Sequence, residues 1–404
     1  MRILFISSEY PPETGYGGIG TYCRFIAETL ALNGHNVFVI SRSVTGQSTI
    51  TIQNGVEVHR IPILPYSLPK QRIFYPLRKL CYKTIPNTLN RIAWAKSAWT
   101  RYEVFLKSPD FDIIEYPECG AEGYYFSRSR LPSAVRLHTP WSMIRKLDRL
   151  DEHPFDRLIL TQLEKITVKN SRITSSPSHA LANLLKKEWN LENIAVYPNP
   201  IPIENFSLNP NLKAKQWIYT GRIEYRKGTH LLLDAYARLS ESCHAPPLLL
   251  IGRPFGILSD GTSYEECIAR LIEDLGIAHK VTWIKGVPQN EISSFLQNSS
   301  VAFFPSLWEN FPYTCLEAMA SGIAVCASDC GGYPEMVDNQ QNGLLFKTGD
   351  VPSLVSQMTR LLQDCELVKK LGKNARIKVN TCFDSNVIYQ KALNFYQTIQ
   401  RSGN

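Results

Sequence analysis

Two doubly wound α/β domains in tandem are predicted by three features of this 404-residue chain. The length exceeds one ordinary core and suits two domains of about 150–200 residues each. Short apolar runs alternate with helical periodicity through both halves. Between the halves lies NPIPIENFSLNPNLKAK (199–215), rich in Pro and Asn and without periodicity, which reads as a linker.

In the first half RILFIS is a buried strand, followed by a glycine-rich loop and a helix with Ile19, Cys23, Ile26 and Leu30 on one face, ended by Asn33-Gly34. HNVFVIS is the next strand, and further strands are expected at 111–116, 134–137, 172–176 and 195–198. After the linker the alternation restarts with QWIYTG, a helix over 229–240, PLLLIG, a helix over 264–275, VTWIKG, a helix over 290–298 and VAFFP. A helix near 313–321, the strand IAVCAS and two or three final helices complete it, the last near 385–401. Tandem units of this type place ligands between them, at the carboxyl ends of their strands.

Composition narrows the class. The chain is 44% hydrophobic and 20% charged, and no apolar run approaches the roughly 20 residues needed to cross a bilayer. MRILFISSEY lacks a small-residue cleavage site and reads as a first strand, not a signal peptide. The ten cysteines are scattered without a C-x-x-C pair, and the spacing of Cys326 and Cys330 is not completed into a zinc site. Free thiols of a reducing cytosol are the expectation.

The net charge of +8 is unevenly spread. Residues 60–107 hold ten basic residues against Glu103 alone, interleaved with Tyr66, Phe74, Tyr75, Tyr82, Trp94, Trp99, Tyr102 and Phe105. That mixture suits peripheral contact with an anionic membrane; a solvated helical face with core aromatics is the alternative. No nucleic-acid-binding module accompanies it.

Three segments carry chemistry. In ETGYGGIGTY (13–22), Gly15, Gly17 and Gly20 satisfy G-x-G-x-x-G. A dinucleotide fingerprint opens its helix directly after the first strand and has an acid at the end of the second. Here seven residues including Pro11 and Pro12 intervene, and the second strand ends in Ser41-Arg42-Ser43. The match therefore reads as a coincidence of spacing, leaving a loop whose Gly17 and Gly18 can approach an anionic ligand closely. In GRIEYRKG (221–228), Arg222 and Lys227 follow a strand and precede a helix, where they can clamp phosphate oxygens. In WENFPYTCLEAMASG (308–322), Glu309 and Glu317 stand in an E-x7-E spacing, the first in a loop and the second about one turn into a helix. A carboxylate there can accept hydrogen bonds from vicinal hydroxyls; two acids capping a helix are the plain alternative.

Together GYGGIG, GRIEYRKG and the E-x7-E segment resemble a retaining, family-four glycosyltransferase of the GT-B fold, over essentially the whole chain. The resemblance implies two Rossmann-like domains facing a cleft: an acceptor domain, 1–205, to which a final helix at about 385–404 crosses back, and a donor domain, 206–384. It implies that Arg222 and Lys227 hold the donor diphosphate, Glu317 the ribose hydroxyls, and Glu309 the transferred sugar, with Asn310, Phe311 and Pro312 beside it. Gly17 and Gly18 lie against the diphosphate. His138, in AVRLHTP, matches the position that reaches the donor sugar, and Gly286 and Val287 in KGVPQ (285–289) the backbone that reads the base. The chain departs from the family at Asn199-Pro200, where Asn-Gly is frequent, and at Asn310, where Gly is frequent. Donor-sugar preference therefore does not carry over.

The implied activity is metal-independent transfer of a hexose-type sugar from a nucleotide diphosphate sugar to a glycan or lipid-linked acceptor. No cofactor is implied, and no Asp-x-Asp motif stands in a suitable place for a metal. A cytoplasmic protein, peripheral on the inner face of the membrane, is the corresponding location. A sugar-nucleotide epimerase, a phosphorylase, a glycosidase pairing Glu309 with Glu317, or a silent sugar-nucleotide-binding protein are the rivals.

Overall fold

The computed structural model describes residues 1–15, 17–65, 75–106, 110–150, 152–208, 216–258 and 261–401. The chain forms two compact units, one of Met1–Ile144, Glu152–Pro200 and Ser385–Asn404, the other of Arg145–Asp151 and Ile201–Asp384. Residues 209–215 of the expected linker lie outside the described residues, as do Tyr16, Tyr66, Lys70, Arg72, Phe74 and Lys107 of the segments singled out above.

The first unit is built on an eight-stranded sheet. Its strands are β1 (Arg2–Ile6), β2 (Asn36–Arg42), β3 (Thr49–Gln53), β4 (Val56–Ile61), β5 (Ile113–Pro117), β6 (Ser133–Arg136), β7 (Ile173–Ser176) and β8 (Ile194–Val196), in the order β3-β4-β2-β1-β5-β6-β7-β8. All pairings are parallel except β3 with β4. That hairpin, unforeseen in the sequence reading, turns at Asn54-Gly55, both with positive φ (49° and 81°), the dipeptide a tight two-residue turn favours. The order reverses at β1/β5, and the loops after β1, β5 and β6 gather at that switch point.

The helix Gly18–Leu32 follows the glycine loop with Gly17 as its N-cap. The final helix, Ser385–Arg401, belongs to this unit. Its Tyr396 hydroxyl donates to Glu115 Oε2 (2.9 Å), its Tyr389 hydroxyl meets His35 Nε2 (3.0 Å), and Phe395 packs on Tyr197.

The second unit carries β9 (Trp217–Thr220), β10 (Leu248–Ile251), β11 (Val281–Ile284), β12 (Val301–Phe304), β13 (Ala324–Ser328) and β14 (Leu344–Phe346), all parallel in the order β11-β10-β9-β12-β13-β14. Every residue of β9, β10, β12 and β13 is buried, as expected of strands covered on both faces. Trp217 meets Phe303 at 5.0 Å between ring centroids, among Leu232, Leu250 and Leu354; each such side chain stabilises the fold by about 1.5–3 kcal/mol. The order reverses between β9 and β12. The chain enters and leaves this unit side by side, Ile201 N donating to Phe383 O (3.0 Å).

The basic, aromatic stretch is divided by the fold. Arg60 is buried, bonding Tyr10 O (3.0 Å) and pairing with Glu13 (3.0 Å). Arg101 is buried against His59 (3.0 Å), and Trp94 is buried and donates to Glu122 (2.9 Å). Burial removes these three side chains from any membrane-facing surface within 60–107.

Candidate active site

In the second unit the site grows from the switch point. β9 ends at Thr220, and the chain turns through Gly221 and the short helical turn Tyr225–Lys227 into the helix Thr229–Ser242. Gly228 joins turn to helix with φ 68°, and a Cβ there would lie 2.0 Å from Pro305 O. Only glycine lets this turn seat against the end of β12. The loop after β12 brings in Glu309, whose carbonyl accepts from Gly332 N (2.9 Å); a Cβ on Gly331 would stand 1.8 Å from that same oxygen.

Lys227 Nζ contacts Glu309 Oε1 at 2.7 Å. Arg226, which no local sequence signal marks, is buried and ties the site together. Its guanidinium bonds the carboxylates of Glu309 and Glu224 and approaches Asp148 Oδ2 at 3.4 Å, while its N–H donates to Asp148 Oδ1 (2.9 Å). Burial and Glu224 push Asp148 up. Burial alone would raise Glu309 as well, but Lys227, Arg226 and Arg222 outweigh it and hold the carboxyl below its ordinary range. Burial likewise opposes the charge on Arg226, and Glu309, Glu224 and Asp148 overcome it. Glu309 is thus an anion fixed in a buried cage of cations. Arg222 is half exposed, meets Glu224 at 3.4 Å and lies over the Phe255 ring.

Glu317 lies in the helix Tyr313–Ala320, buried, with its carboxyl pushed up to about 8 by burial. Gln289 donates its side-chain amide to Glu317 Oε1, so the KGVPQ loop and the E-x7-E helix meet through a residue the sequence reading left unassigned. In that loop Gly286 takes φ 138°, where a Cβ would come within 3.0 Å of Arg253; Val287 is half-buried beside it. Asn310 and Phe311 are buried, Phe311 edge-on to Phe383 (5.4 Å), and Pro312 caps the helix.

In the first unit the glycine pattern has a local cause. A Cβ on Gly17 would lie 2.6 Å from Glu9 Oε2, one on Gly15 2.7 Å from Glu9 Cδ, and one on Gly20 2.9 Å from Glu9 Cβ and 2.7 Å from Gly15 O. The loop wraps the Glu9 side chain, and its three close approaches fall at the G-x-G-x-x-G positions. All three pattern positions thus lie close to Glu9, with the Gly15 carbonyl closest of all to Gly20. A Cβ on Gly18 would meet nothing within 4 Å.

His138 follows β6. Its N–H donates to Glu118 Oε2 (2.8 Å), its ring stands edge-on to Tyr22, and burial with the charge of Arg136 keeps the imidazole neutral. Arg136 lies over Tyr197 (4.1 Å) and bonds Asn199 Oδ1 (3.0 Å), giving the Asn199-Pro200 exit an internal anchor. Around these sit four buried acids outside the sequence reading: Glu115, Glu118, Glu122 and Glu164. Burial raises all four, Glu115 and Glu164 to about 7 and Glu118 to about 8. Among the described residues no group of His, Cys, Asp and Glu is arranged to hold a metal ion. The Asp-x-Asp at 110–112 stands at the amino end of the sheet, where Asp112 accepts from Arg2 N (2.7 Å).

Two switch-point sheets and a cation-caged carboxylate after β12 define a glycosyltransferase of the GT-B class. The chain belongs to the family-four glycosyltransferases: residues 16–205 match Glycosyltransferase Family 4, and residues 201–378 match Glycosyl transferases group 1. The D-inositol 3-phosphate glycosyltransferase of Corynebacterium urealyticum is 27% identical over 90% of this chain and 88% of its own. Sucrose-phosphate synthase from Thermosynechococcus elongatus shares the fold with a TM-score of 0.80, at 20% identity over 99% of both chains. Anabaena HepE, solved with UDP-glucose, superposes with a TM-score of 0.71, at 18% identity over 98% of this chain and 100% of its own.

Proposed function

We propose that the chain transfers a hexose-type sugar from a nucleotide diphosphate sugar to a glycan or lipid-linked acceptor, with retention and without a catalytic metal. The observation that carries this reading is the Lys227–Glu309–Arg226 cage at the carboxyl ends of β9 and β12. It offers fixed positive charge where a departing diphosphate needs it, beside a carboxylate suited to sugar hydroxyls. Arg222 and Lys227 take the diphosphate, with the Gly17 and Gly18 backbone. Glu317 takes the ribose hydroxyls, and the backbone of Gly286 and Val287 meets the base. Asn310, Phe311 and Pro312 line the sugar, and the neutral His138 donates or accepts at the sugar. That HepE was solved with UDP-glucose supports a nucleotide sugar as donor.

In the step itself the bond from the anomeric carbon to the phosphate oxygen breaks and one to the acceptor oxygen forms on the same face. The acceptor proton passes to the departing phosphate. Arg222 and Lys227 stabilise the charge that develops on that leaving group, the largest single contribution in sites of this kind. The acceptor side is assigned to the first unit, with 60–107 against an anionic membrane surface.

Incubation with labelled nucleotide sugars tests the proposal. Release of nucleoside diphosphate that depends on acceptor, with the donor's anomeric configuration kept in the product by NMR, is expected. Donor isomerisation without release, or an inverted product, would overturn it.

A further inference from the structure

The helix Pro154–Asn170 of the first unit is amphipathic in the inverted sense. Its two acids point inward. Asp156 accepts from the backbone N–H of Asn87 (2.9 Å) and Thr88 (2.8 Å) and from the Thr88 hydroxyl (2.6 Å). Glu164 accepts from Gly120 N and Trp141 N (both 2.7 Å) and from the Ser142 hydroxyl (3.2 Å). Its outward face is apolar: Phe155 is 62% exposed, Leu158 56%, Ile159 36% and Ile166 37%. These four recur at helical spacing on the side opposite the buried Asp156, Leu160, Glu164 and Thr167.

The charge on that outward side has one sign. Lys165 and Lys169 fall among the apolar positions, and the helix presents no acid to solvent. A helix that spends both carboxylates on internal backbone donors and turns a phenyl ring and three aliphatic chains to water, with lysines between them, matches an interfacial helix. Such a helix lies in the headgroup plane, with its apolar chains in the acyl boundary and its cations on lipid phosphates.

We propose that this face, running about 17 Å along the helix from Phe155 to Ile166, docks the protein on an anionic lipid bilayer. The face lies on a helix outside the basic stretch 60–107, packed against it through Asn87 and Thr88, and is independent of which donor the enzyme uses. The lysines among the apolar positions, on a helix that shows no acid to solvent, commit the occupant to an anionic surface: a purely apolar protein groove would leave Lys165 and Lys169 without counter-charge.

Co-sedimentation of the full chain with vesicles tests it, using phosphatidylcholine alone and an equimolar mixture with phosphatidylglycerol. Binding to the mixed vesicles alone, released by salt, is expected. Lys165→Glu with Lys169→Glu should lower the partition coefficient by at least about fivefold per charge. Phe155→Ser with Leu158→Ser should abolish binding, with an unchanged melting temperature because both side chains are exposed. Lys186→Glu with Lys187→Glu, two exposed lysines on the helix His179–Trp189, serves as the control. No binding to mixed vesicles would overturn the proposal, as would equal loss in the control variant. So would a Phe155 and Leu158 variant that still binds but changes oligomeric state, which would make the face a self-interface.

Discussion

The Arg226 guanidinium bonds the Glu309 carboxylate, and both groups are buried. Neither charge is tolerable there without the other, because desolvation costs several kcal/mol per ion. Arg226→Gln would leave Glu309, Glu224 and Asp148 crowded without their shared cation. A loss of about 3–5 kcal/mol in unfolding free energy is expected, read by denaturant titration. An undiminished midpoint would show that the network carries no net stability.

Glu317 is expected to act as a neutral carboxylic acid at pH 7, since burial raises it to about 8. Glu317→Gln should then keep donor KM near that of the parent enzyme, whereas Glu317→Ala should raise it by about tenfold or more through loss of two hydrogen bonds. An unchanged KM in the alanine variant would contradict the ribose assignment.

The buried acids of the first unit set a pH dependence. Glu118 is raised to about 8 in the fold, from an ordinary value of 4.5. Between those values the folded state holds a proton that the unfolded chain has released. Its stabilising contribution is complete below about 4.5 and is lost as pH rises through 8, with a slope of up to about 1.4 kcal/mol per unit. Glu115 and Glu164, raised to about 7, act with the same sign. Glu118→Gln should flatten the fall in melting temperature between pH 5 and 9; a variant as pH-sensitive as the parent would refute this.

Gly18 and Gly20 separate ligand from packing. Gly20→Ala forces a Cβ within 2.7 Å of a backbone oxygen and should destabilise the first unit. Gly18→Ala meets open space and should stabilise the helix slightly, by up to about 1 kcal/mol. If the Gly18 backbone lies on the donor diphosphate, the same change raises donor KM. A Gly18→Ala enzyme with unaltered kinetics would move the diphosphate elsewhere.

Much of the architecture was legible because buried parallel strands announce themselves as short apolar runs. Trp217–Thr220 and Val301–Phe304 stand where QWIYTG and VAFFP indicated. Lys227 and Glu309 were legible because each follows such a strand, the position a switch point makes functional. Arg226 was not, since its partners are at 148, 224 and 309, and nothing local distinguishes a buried arginine from a solvated one. Glu9 was hidden for a related reason: the glycines that record it are visible, but the side chain they enclose precedes them. The run EYPECGAE, with three of the four buried acids, was a signal available and unread. The hairpin at Asn54-Gly55 was another.

The polypeptide passes from one unit to the other four times, because Arg145–Asp151 packs with the second unit while the residues on either side pack with the first. Asp148 rides on that excursion. A chimera that exchanged C-terminal halves at residue 200 would import a new Arg226 equivalent and leave its carboxylate anchor behind in the host sequence. Recombination between relatives therefore requires both parents to agree at a position some fifty residues upstream of the apparent junction, which ties the inheritance of the second unit to a short piece of chain embedded in the first.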